Sequence, residues 1–337
     1  MIQGGIGAGI LYLIYTCDLP DTAHSHVTED GYSQPEQYCA EDGVMVNFVD
    51  DSTAYYGNRD PEKVTKKLGE VYSRVADWMA ANKLVINGSK THLLVASSRA
   101  MDHKRQEVKL NAGGSNIVQS DHEKLLGGIV SHDGRWNQMI VNSKCSVVNQ
   151  LTSRINALKL LHCADVKTRL MVATATVQSK LQYLLPLWGG APGYLIQALQ
   201  TQQLNAARLV WGHSSYYWST EKLLSKCGWK SVRQQEYHVT AMLAHRILQE
   251  GVPTNIRPGL ITDWHYNTRG AIQARMQGEV RTHSYGAYEG HSSLVLGSFK
   301  SRAQRYYSAM PGEVKLGSNN SVKKKMDKWF RENIPIR

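Results

Sequence analysis

The sequence predicts a mixed α+β fold with more than one domain. Short β-prone runs separated by turn residues dominate the first 135 residues, whereas apolar residues at helical spacing dominate from Trp136 onward. The chain has 337 residues, which is long enough for two or three domains. We therefore expect an α+β domain over 1–135, a helical domain over 136–215 and a helical and loop region over 216–337.

The first predicted elements are a short apolar helix and a β-hairpin. Residues 7–17 are rich in Ile, Leu and Tyr, and the sequence DLPD ends that element at 18–21. The β-prone runs 44–49 and 52–57 then flank two adjacent carboxylates, Asp50 and Asp51. This pattern predicts a hairpin that carries both carboxylates at its tip.

A long amphipathic helix is predicted after the hairpin. Asp60 is a typical N-cap residue and Pro61 fits the first turn, and apolar residues then recur at spacings of three and four as far as Met79. The stretch 82–97 indicates turns and two short strands. Residues 123–131 indicate another strand, interrupted by two glycines.

Helices account for most of the chain after Trp136. Apolar residues from Ile140 to Leu158 recur at helical spacing and predict one helix with a single apolar face. Further helices are predicted from Asp165 to Pro186, over about 194–211, over about 231–249 and, as a basic tail helix, over about 319–333. Residues 251–300 show little periodicity and indicate long loops.

Charge is distributed unevenly along the chain. Residues 1–57 contain no Lys or Arg and nine Asp or Glu, so the remaining 39 basic and 19 acidic residues give the rest of the chain a net charge of +20. An acidic segment before a basic body fits a metal centre joined to a polyanion-binding surface. A basic surface without a special role fits the charge equally well.

Cysteine usage and hydropathy limit the cellular compartments in which we expect the protein. The five cysteines are scattered and form no CxxC pair, which favours a reducing compartment and disfavours a zinc knuckle. No apolar stretch reaches about 18 residues, so we expect no transmembrane helix and no membrane partner. We expect an intracellular protein, with cytoplasm and nucleus both open, and no protein partner is evident.

The paired aspartates have a specific chemical use. Mg²⁺ prefers oxygen ligands and binds through one or two carboxylates together with substrate phosphates, and Mn²⁺ accepts similar ligands. Two-metal phosphoryl transfer holds its ions about 3.5–4 Å apart, and two ions need ligands from more than one stretch of chain. Asp50 and Asp51 are therefore interpreted as half of such a site, with a solvated acidic turn as the alternative.

The order of several motifs resembles the reverse transcriptases of non-LTR retrotransposons, and the likeness runs almost end to end. The segments that carry it are IQGGIGAGILYLIYTCDLPD (2–21), FVDD (48–51), WMAANKLVINGSKTHLLV (78–95), KLLGGIVSHDGRW (124–136), LQYLLPLWGG (181–190), LQTQQLNAARLVWG (199–212) and SFKSRAQRYYSAMP (298–311). The resemblance implies a partial polymerase palm, an antiparallel sheet with helices, over 1–135. It implies a thumb-like helical domain over 136–215 and a C-terminal region over 216–337.

The resemblance also implies roles for individual residues. Asp50 and Asp51 match the catalytic metal ligands. Nucleotide or template contacts are implied for Gln3, Gly4, Gly5, Phe48 and Lys90, and a primer grip for Leu126, Gly127 and Gly128. Gly5 and Phe48 depart from the Ser and Tyr usual in the family. The basic residues interpreted as a nucleic-acid surface are Arg302, Arg305, Lys323, Lys324 and Lys325.

These matches predict a protein descended from an RNA-directed DNA polymerase that uses two-metal nucleotidyl transfer. Its partners would be an RNA template, a DNA primer or RNA–DNA hybrid, and deoxynucleotides. In the family the first catalytic aspartate lies upstream of the motif that starts here at Gln3, so we expect this chain to be inactive alone. A non-catalytic basic module that binds RNA or DNA, or a retroelement remnant, is the alternative.

Overall fold

The computed structural model is a mixed α+β protein in which helix predominates, as the predicted fold class requires. It describes residues 8–23, 44–97, 102–103, 105, 108–112, 115–117, 119–250, 299–315 and 319–334. The chain divides into two compact units. The first contains residues 1–125 and 131–134, and the second contains residues 126–130 and 135–337.

Short strands and two helices make up most of the described part of the first unit. The helices are α1 (Ala8–Tyr15) and α2 (Pro61–Ala81), with 3₁₀ turns at Leu19–Ala23 and Gly88–Lys90. The strands among the described residues of both units are β1 (Val44–Phe48), β2 (Asp51–Tyr55), β3 (Leu93–Leu94), β4 (Leu110–Ala112), β5 (Ser115–Ile117), β6 (Gln119–Ser120), β7 (His122–Leu125) and β8 (Gly128–Ser131).

The strands pair in twos. β1 with β2 and β4 with β5 are antiparallel, β3 with β6 is parallel, and β7 with β8 forms the fourth sheet. Each sheet in the described residues thus has two strands, and the β3–β6 sheet is parallel. The larger antiparallel sheet of a polymerase palm stays a prediction.

Helix α2 begins where the sequence predicts. The Asp60 side chain accepts a hydrogen bond from the Glu62 backbone N–H at 3.0 Å, and Pro61 is the first helical residue. The inner face of α2 forms a small core with the 3₁₀ turn and β1. The members of this core are Leu19, Met45, Val71, Val75, Trp78 and Met79.

The described part of the second unit is mostly helical. The helices among its described residues are α3 (Val147–Lys159), α4 (Val166–Ala173), α5 (Ser179–Gln182), α6 (Leu185–Trp188), α7 (Gly193–Trp211), α8 (Thr220–Cys227), α9 (Val232–Glu250), α10 (Phe299–Ala309), α11 (Gly312–Lys315) and α12 (Asn319–Asn333). Single π-helical turns lie at Gln138–Asn142 and Thr174–Gln178, and a 3₁₀ turn lies at His213–Tyr217. The predicted helices near 194–211, 231–249 and 319–333 are confirmed.

The helix predicted from Ile140 to Leu158 is divided, which corrects that prediction. Ile140 lies in the π-helical turn, and α3 begins only at Val147. The Ser146 backbone is extended, and its hydroxyl accepts a hydrogen bond from the Asn149 N–H at 3.3 Å, which starts a new helix. Ile140 still packs into the same core as α3, and its apolar spacing therefore resembled one continuous helix.

Two hydrophobic cores lie in the second unit. The larger one contains buried residues from Ile129 to Val232, and therefore continues past the predicted boundary at residue 215. The smaller one joins α9, α10 and α12. Trp188 and Trp229 are buried in the larger core, where their rings anchor the packing.

Candidate functional site

The β1–β2 hairpin carries the two aspartates as predicted. Phe48 pairs with Asp51 at the end of the ladder, so Val49 and Asp50 form a two-residue turn. Val49 has a φ of +55°, which is strained for a β-branched residue and costs on the order of 1–3 kcal/mol. Asp50 and Asp51 are both exposed, so their carboxylates are open to a ligand.

One face of the hairpin is apolar and open. Val46 is 50% exposed and Phe48 is 60% exposed, and strand alternation puts them on the face that also carries Asp51. Met45 and Asn47 lie on the opposite face, and Met45 belongs to the small core under α2. The hairpin therefore presents an exposed carboxylate beside an open apolar surface.

Contacts from α1 and α2 hold this region in place. The Trp78 indole N–H donates to the Asp18 carboxylate at 3.1 Å, and the Tyr15 hydroxyl donates to the Asn82 carbonyl oxygen at 2.7 Å. The Asp18 carboxylate is thus hydrogen-bonded to Trp78. The sequence indicates no metal role for Asp18.

Lys90 lies on a separate capped turn after α2. The Asn87 side-chain oxygen accepts hydrogen bonds from the Ser89 N–H at 3.1 Å and the Ser89 hydroxyl at 2.7 Å, which fixes the 3₁₀ turn. Lys90 ends this turn and is exposed. Its side chain is available to a phosphate. Nucleotide or template contacts are also predicted for Gln3, Gly4 and Gly5, but these three residues lie outside the described ranges.

The predicted primer grip is a tight turn between β7 and β8. Leu126 has a φ of +47° and Gly127 a φ of +79°, which is the pattern of a type I′ turn. The Tyr183 hydroxyl donates to the Leu126 carbonyl oxygen, and a Cβ at Gly127 would lie 3.3 Å from the Tyr183 ring. Gly128 is buried. The tyrosine therefore closes over the turn, and a side chain at residue 127 would press against it.

The turn is anchored further into the helical core. The Trp188 indole N–H donates to the Tyr183 carbonyl oxygen at 2.9 Å, and Trp188 is fully buried. This chain of contacts makes the turn a fixed feature of the second unit. The primer-grip role of this turn stays a prediction.

Arg302 does not belong to an exposed basic surface, and that prediction is wrong. Its side chain is 2% exposed and pairs with Glu236, which is 1% exposed. The guanidinium also donates to the backbone carbonyl oxygens of Pro186 and Leu187. Helix α10 packs on α9, so the Arg302 side of α10 faces inward.

Tyr306 and Thr240 complete this buried cluster. The Tyr306 hydroxyl donates to Glu236 Oε2 at 3.0 Å, and the Thr240 hydroxyl donates to Glu236 Oε1 at 3.3 Å. Burial raises the pKa of the Glu236 carboxyl, and the neighbouring Arg302 guanidinium opposes part of that rise. Burial and the Glu236 carboxylate together raise the pKa of Tyr306.

Gly189 is required for this cluster to form. A Cβ at that position would overlap the Glu236 Cγ and lie 2.7 Å from the Leu185 carbonyl oxygen, closer than real Cβ atoms come. The Glu236–Arg302 cluster thus joins two segments of the sequence resemblance, 181–190 and 298–311, in one packed unit. The sequence did carry a signal for Arg302, because it lies three residues after Phe299 and four before Tyr306 on the apolar face of α10.

The other predicted basic residues are exposed. Arg305 lies on the outer side of α10, and Lys323, Lys324 and Lys325 lie on the outer side of α12. The Lys325 ammonium donates to the Glu313 carbonyl oxygen at 3.1 Å. Their exposure is what contact with phosphates requires, so the predicted surface keeps these four members.

A metal site at the hairpin stays a prediction. Among them, no group of three or more His, Cys, Asp or Glu side chains could hold a metal ion. The two hairpin carboxylates remain suitable oxygen ligands for Mg²⁺ completed by substrate phosphates.

Comparison of the chain with protein-family models, curated proteins and solved structures found no match. Within the described ranges, no helix has the length and apolar character needed to cross a bilayer.

Proposed function

We propose that this chain descends from an RNA-directed DNA polymerase of non-LTR retrotransposon type and binds template–primer nucleic acid. Asp50 and Asp51 would hold Mg²⁺ or Mn²⁺ at the hairpin tip. The observation that carries the proposal is the exposed pair of carboxylates at the hairpin tip, Asp50 in the two-residue turn and Asp51 at the start of β2, beside the open apolar face of Phe48. The ordered series of resembling motifs supports the same conclusion.

The chemistry of this class assigns a role to each candidate. Asp50 and Asp51 would hold the metals, which would supply Lewis-acid chemistry for attack of a primer 3′-hydroxyl on a deoxynucleotide α-phosphate, with pyrophosphate as the leaving group. Lys90 would neutralise phosphate charge, and Phe48 would pack against the nucleotide sugar. The turn at Leu126 and Gly127 would contact the primer strand.

Binding without chemistry is the second candidate function, and the charge distribution favours it. The net charge of +20 after residue 57 supports sequence-independent binding of RNA or hybrid duplex. A two-metal site needs carboxylates from more than one stretch of chain, and the hairpin supplies two adjacent ones. We therefore expect little or no primer extension from this chain, and binding that weakens steeply with salt.

Manganese binding tests the hairpin directly. The free Mn²⁺ signal in electron paramagnetic resonance is titrated with the chain in the presence of primer–template and a deoxynucleotide. We compare the native chain with the Asp50→Asn, Asp51→Asn double variant and with Asp77→Asn, which removes an exposed carboxylate from α2. Loss of bound Mn²⁺ in the double variant alone supports the site. Equal binding by all three proteins refutes it.

Primer extension and binding separate the two candidate functions. Both are measured on an RNA template with a DNA primer and Mg²⁺, and binding is repeated across a salt series. Extension by the native chain but not by the double variant establishes a polymerase and contradicts the expected inactivity. Salt-dependent binding without extension supports the binding module. Binding that does not respond to salt contradicts both.

A further inference from the structure

A basic cavity lies in the second unit. Its volume is about 270 Å³, and it lies where α3 and α7 end, beside α4 and the 3₁₀ turn at 213–217. Five of its nine lining residues are basic or histidine, and none is acidic. The lining residues that matter for its chemistry are Lys159, His162, Arg169, Arg208, His213 and Tyr216.

The cavity wall combines cations with an aromatic ring. The Arg208 guanidinium lies 5.9 Å from the centre of the Tyr216 ring, and the His213 ring centre lies 6.0 Å from the same ring. Tyr216 is 60% exposed, so part of its ring stays open to a ligand. Cations next to an accessible aromatic face are typical of sites that hold a phosphate and stack a base.

One guanidinium nitrogen of Arg169 donates a hydrogen bond, whereas its Nε–H has no partner among the described residues. Its Nη1 donates to the Leu209 carbonyl oxygen at 3.3 Å, which fixes the guanidinium against the end of α7. Its Nε–H is buried and has no hydrogen-bond partner in the structure as described. A buried donor without a partner is unfavourable. Arg169 also lines the cavity, so its guanidinium is next to an acceptor oxygen bound there.

Stabilisation of helix ends explains only part of this arrangement. Lys159 and Arg208 lie in the last turns of α3 and α7, where cations interact favourably with the helix dipole. The α7 carbonyl oxygens are already engaged, because Arg208 O accepts from the Gly212 N–H at 2.8 Å and Leu209 O accepts from Arg169. The dipole gives no reason for a cavity, for the Tyr216 ring or for the Arg169 donor.

We propose that this cavity binds one nucleotide, with its phosphate on Arg169 and Arg208 and its base stacked on Tyr216. The volume is close to the lower end of the range of about 300–1,000 Å³ for small-molecule sites, so it suits a single nucleotide and not a duplex. The nucleotide is either free or part of a single strand. The inference rests on the proposed function only in the choice of nucleic acid as ligand, and it does not use Asp50 or Asp51.

Matched tyrosine variants give the sharpest test. Binding of a short fluorescent single-stranded RNA is measured by anisotropy for the native chain, Tyr216→Leu and Tyr217→Leu. Tyr217 is the adjacent residue, 85% exposed and outside the cavity lining. We expect Tyr216→Leu to weaken binding roughly 5- to 150-fold, the effect of losing one stacked base, and Tyr217→Leu to bind like the native chain. Equal affinities of the two variants would overturn the proposal.

A second pair of variants tests the phosphate. Arg208→Gln should weaken binding and lower the slope of log affinity against log salt by about 0.7, whereas Lys167→Gln on α4 should leave the slope unchanged. Lys167 is exposed and does not line the cavity. An unchanged slope for Arg208→Gln contradicts the proposal. Circular dichroism of each variant checks that it is folded.

Competition separates the two sources of the nucleotide. If adenosine monophosphate displaces the labelled RNA from the native chain and does so less well from Tyr216→Leu, the cavity accepts a free nucleotide. If it fails to displace, the cavity reads a nucleotide within a strand, provided that Tyr216→Leu still weakens RNA binding. Salt-dependent RNA binding that ignores both Tyr216 and Arg208 refutes this inference alone. Nucleotide binding without Mn²⁺ binding at the hairpin refutes the metal proposal alone.

Discussion

Replacing Arg302 with Met tests the buried cluster in the second unit. Arg302 and Glu236 are 2% and 1% exposed, so the substitution leaves a carboxylate that water cannot solvate. Removing one partner of a buried ion pair costs about 3–5 kcal/mol. The Pro186 and Leu187 carbonyl oxygens lose a donor as well.

The Glu236 carboxyl limits this loss by taking up a proton. A Glu with an ordinary pKa of 4.5 is protonated at pH 7 at a cost of about 2.5 × 1.36, or roughly 3.4 kcal/mol. At pH 5 the same step costs only about 0.7 kcal/mol. Because a raised pKa in the folded state makes stability fall as pH rises, Arg302→Met should lose about 2–3 kcal/mol more at pH 7 than at pH 5.

Denaturant unfolding at both pH values, followed by circular dichroism, measures the effect. Arg305→Met is the matched control, because it removes an exposed arginine from the same helix and should change stability by less than about 1 kcal/mol. Adding Glu236→Leu to Arg302→Met should abolish the pH-dependent part of the loss. A penalty that is below about 1 kcal/mol, or is equal at pH 5 and pH 7, would refute the reasoning.

Three further predictions concern single residues. Lys83 follows α2 with a φ of +57°, so Lys83→Gly should stabilise the first unit by about 1 kcal/mol, whereas Lys66→Gly inside α2 should destabilise it by a similar amount in the same unfolding assay. Burial lowers the pKa of His238 from 6.5 to about 4, so stability should fall by up to about 3 kcal/mol as pH drops through that window, and His238→Gln should flatten the profile. The Asn47 amide is buried without a hydrogen-bond partner in the described structure, so Asn47→Leu should raise the thermal midpoint, corresponding to about 1–3 kcal/mol, and an unchanged or lower midpoint would contradict this.

Features governed by neighbouring residues were predictable from the sequence. The hairpin around Asp50, the Asp60 cap and the limits of α7 and α12 all follow from local propensity, capping and apolar spacing. The type I′ turn at Gly127 also has a local cause. The glycine accepts the positive φ, although only the fold shows that Tyr183 closes over it.

Features set by distant residues were not predictable in the same way. Glu236 and Arg302 are 66 residues apart, and an arginine near lysines and other arginines suggests an exposed surface until its helix face is compared with its neighbours. The division at Ser146 was missed because Ile140 and α3 contact the same core. Shared burial gives two separate elements the apolar spacing of one helix.

The assignment of Arg302 to a packing role changes where nucleic-acid contact is expected. A guanidinium that holds Glu236 and two backbone carbonyl oxygens has no free face for a phosphate, so substituting it would weaken binding only by unfolding the protein. Among the described residues, the proposed contacts would come from exposed cations such as Lys323, from the hairpin, or from the cavity around Arg208. The hairpin belongs to the first unit, whereas Lys323 and Arg208 belong to the second. Loss of binding with unchanged stability can therefore be traced to one unit, and a loss that follows stability points to the buried cluster.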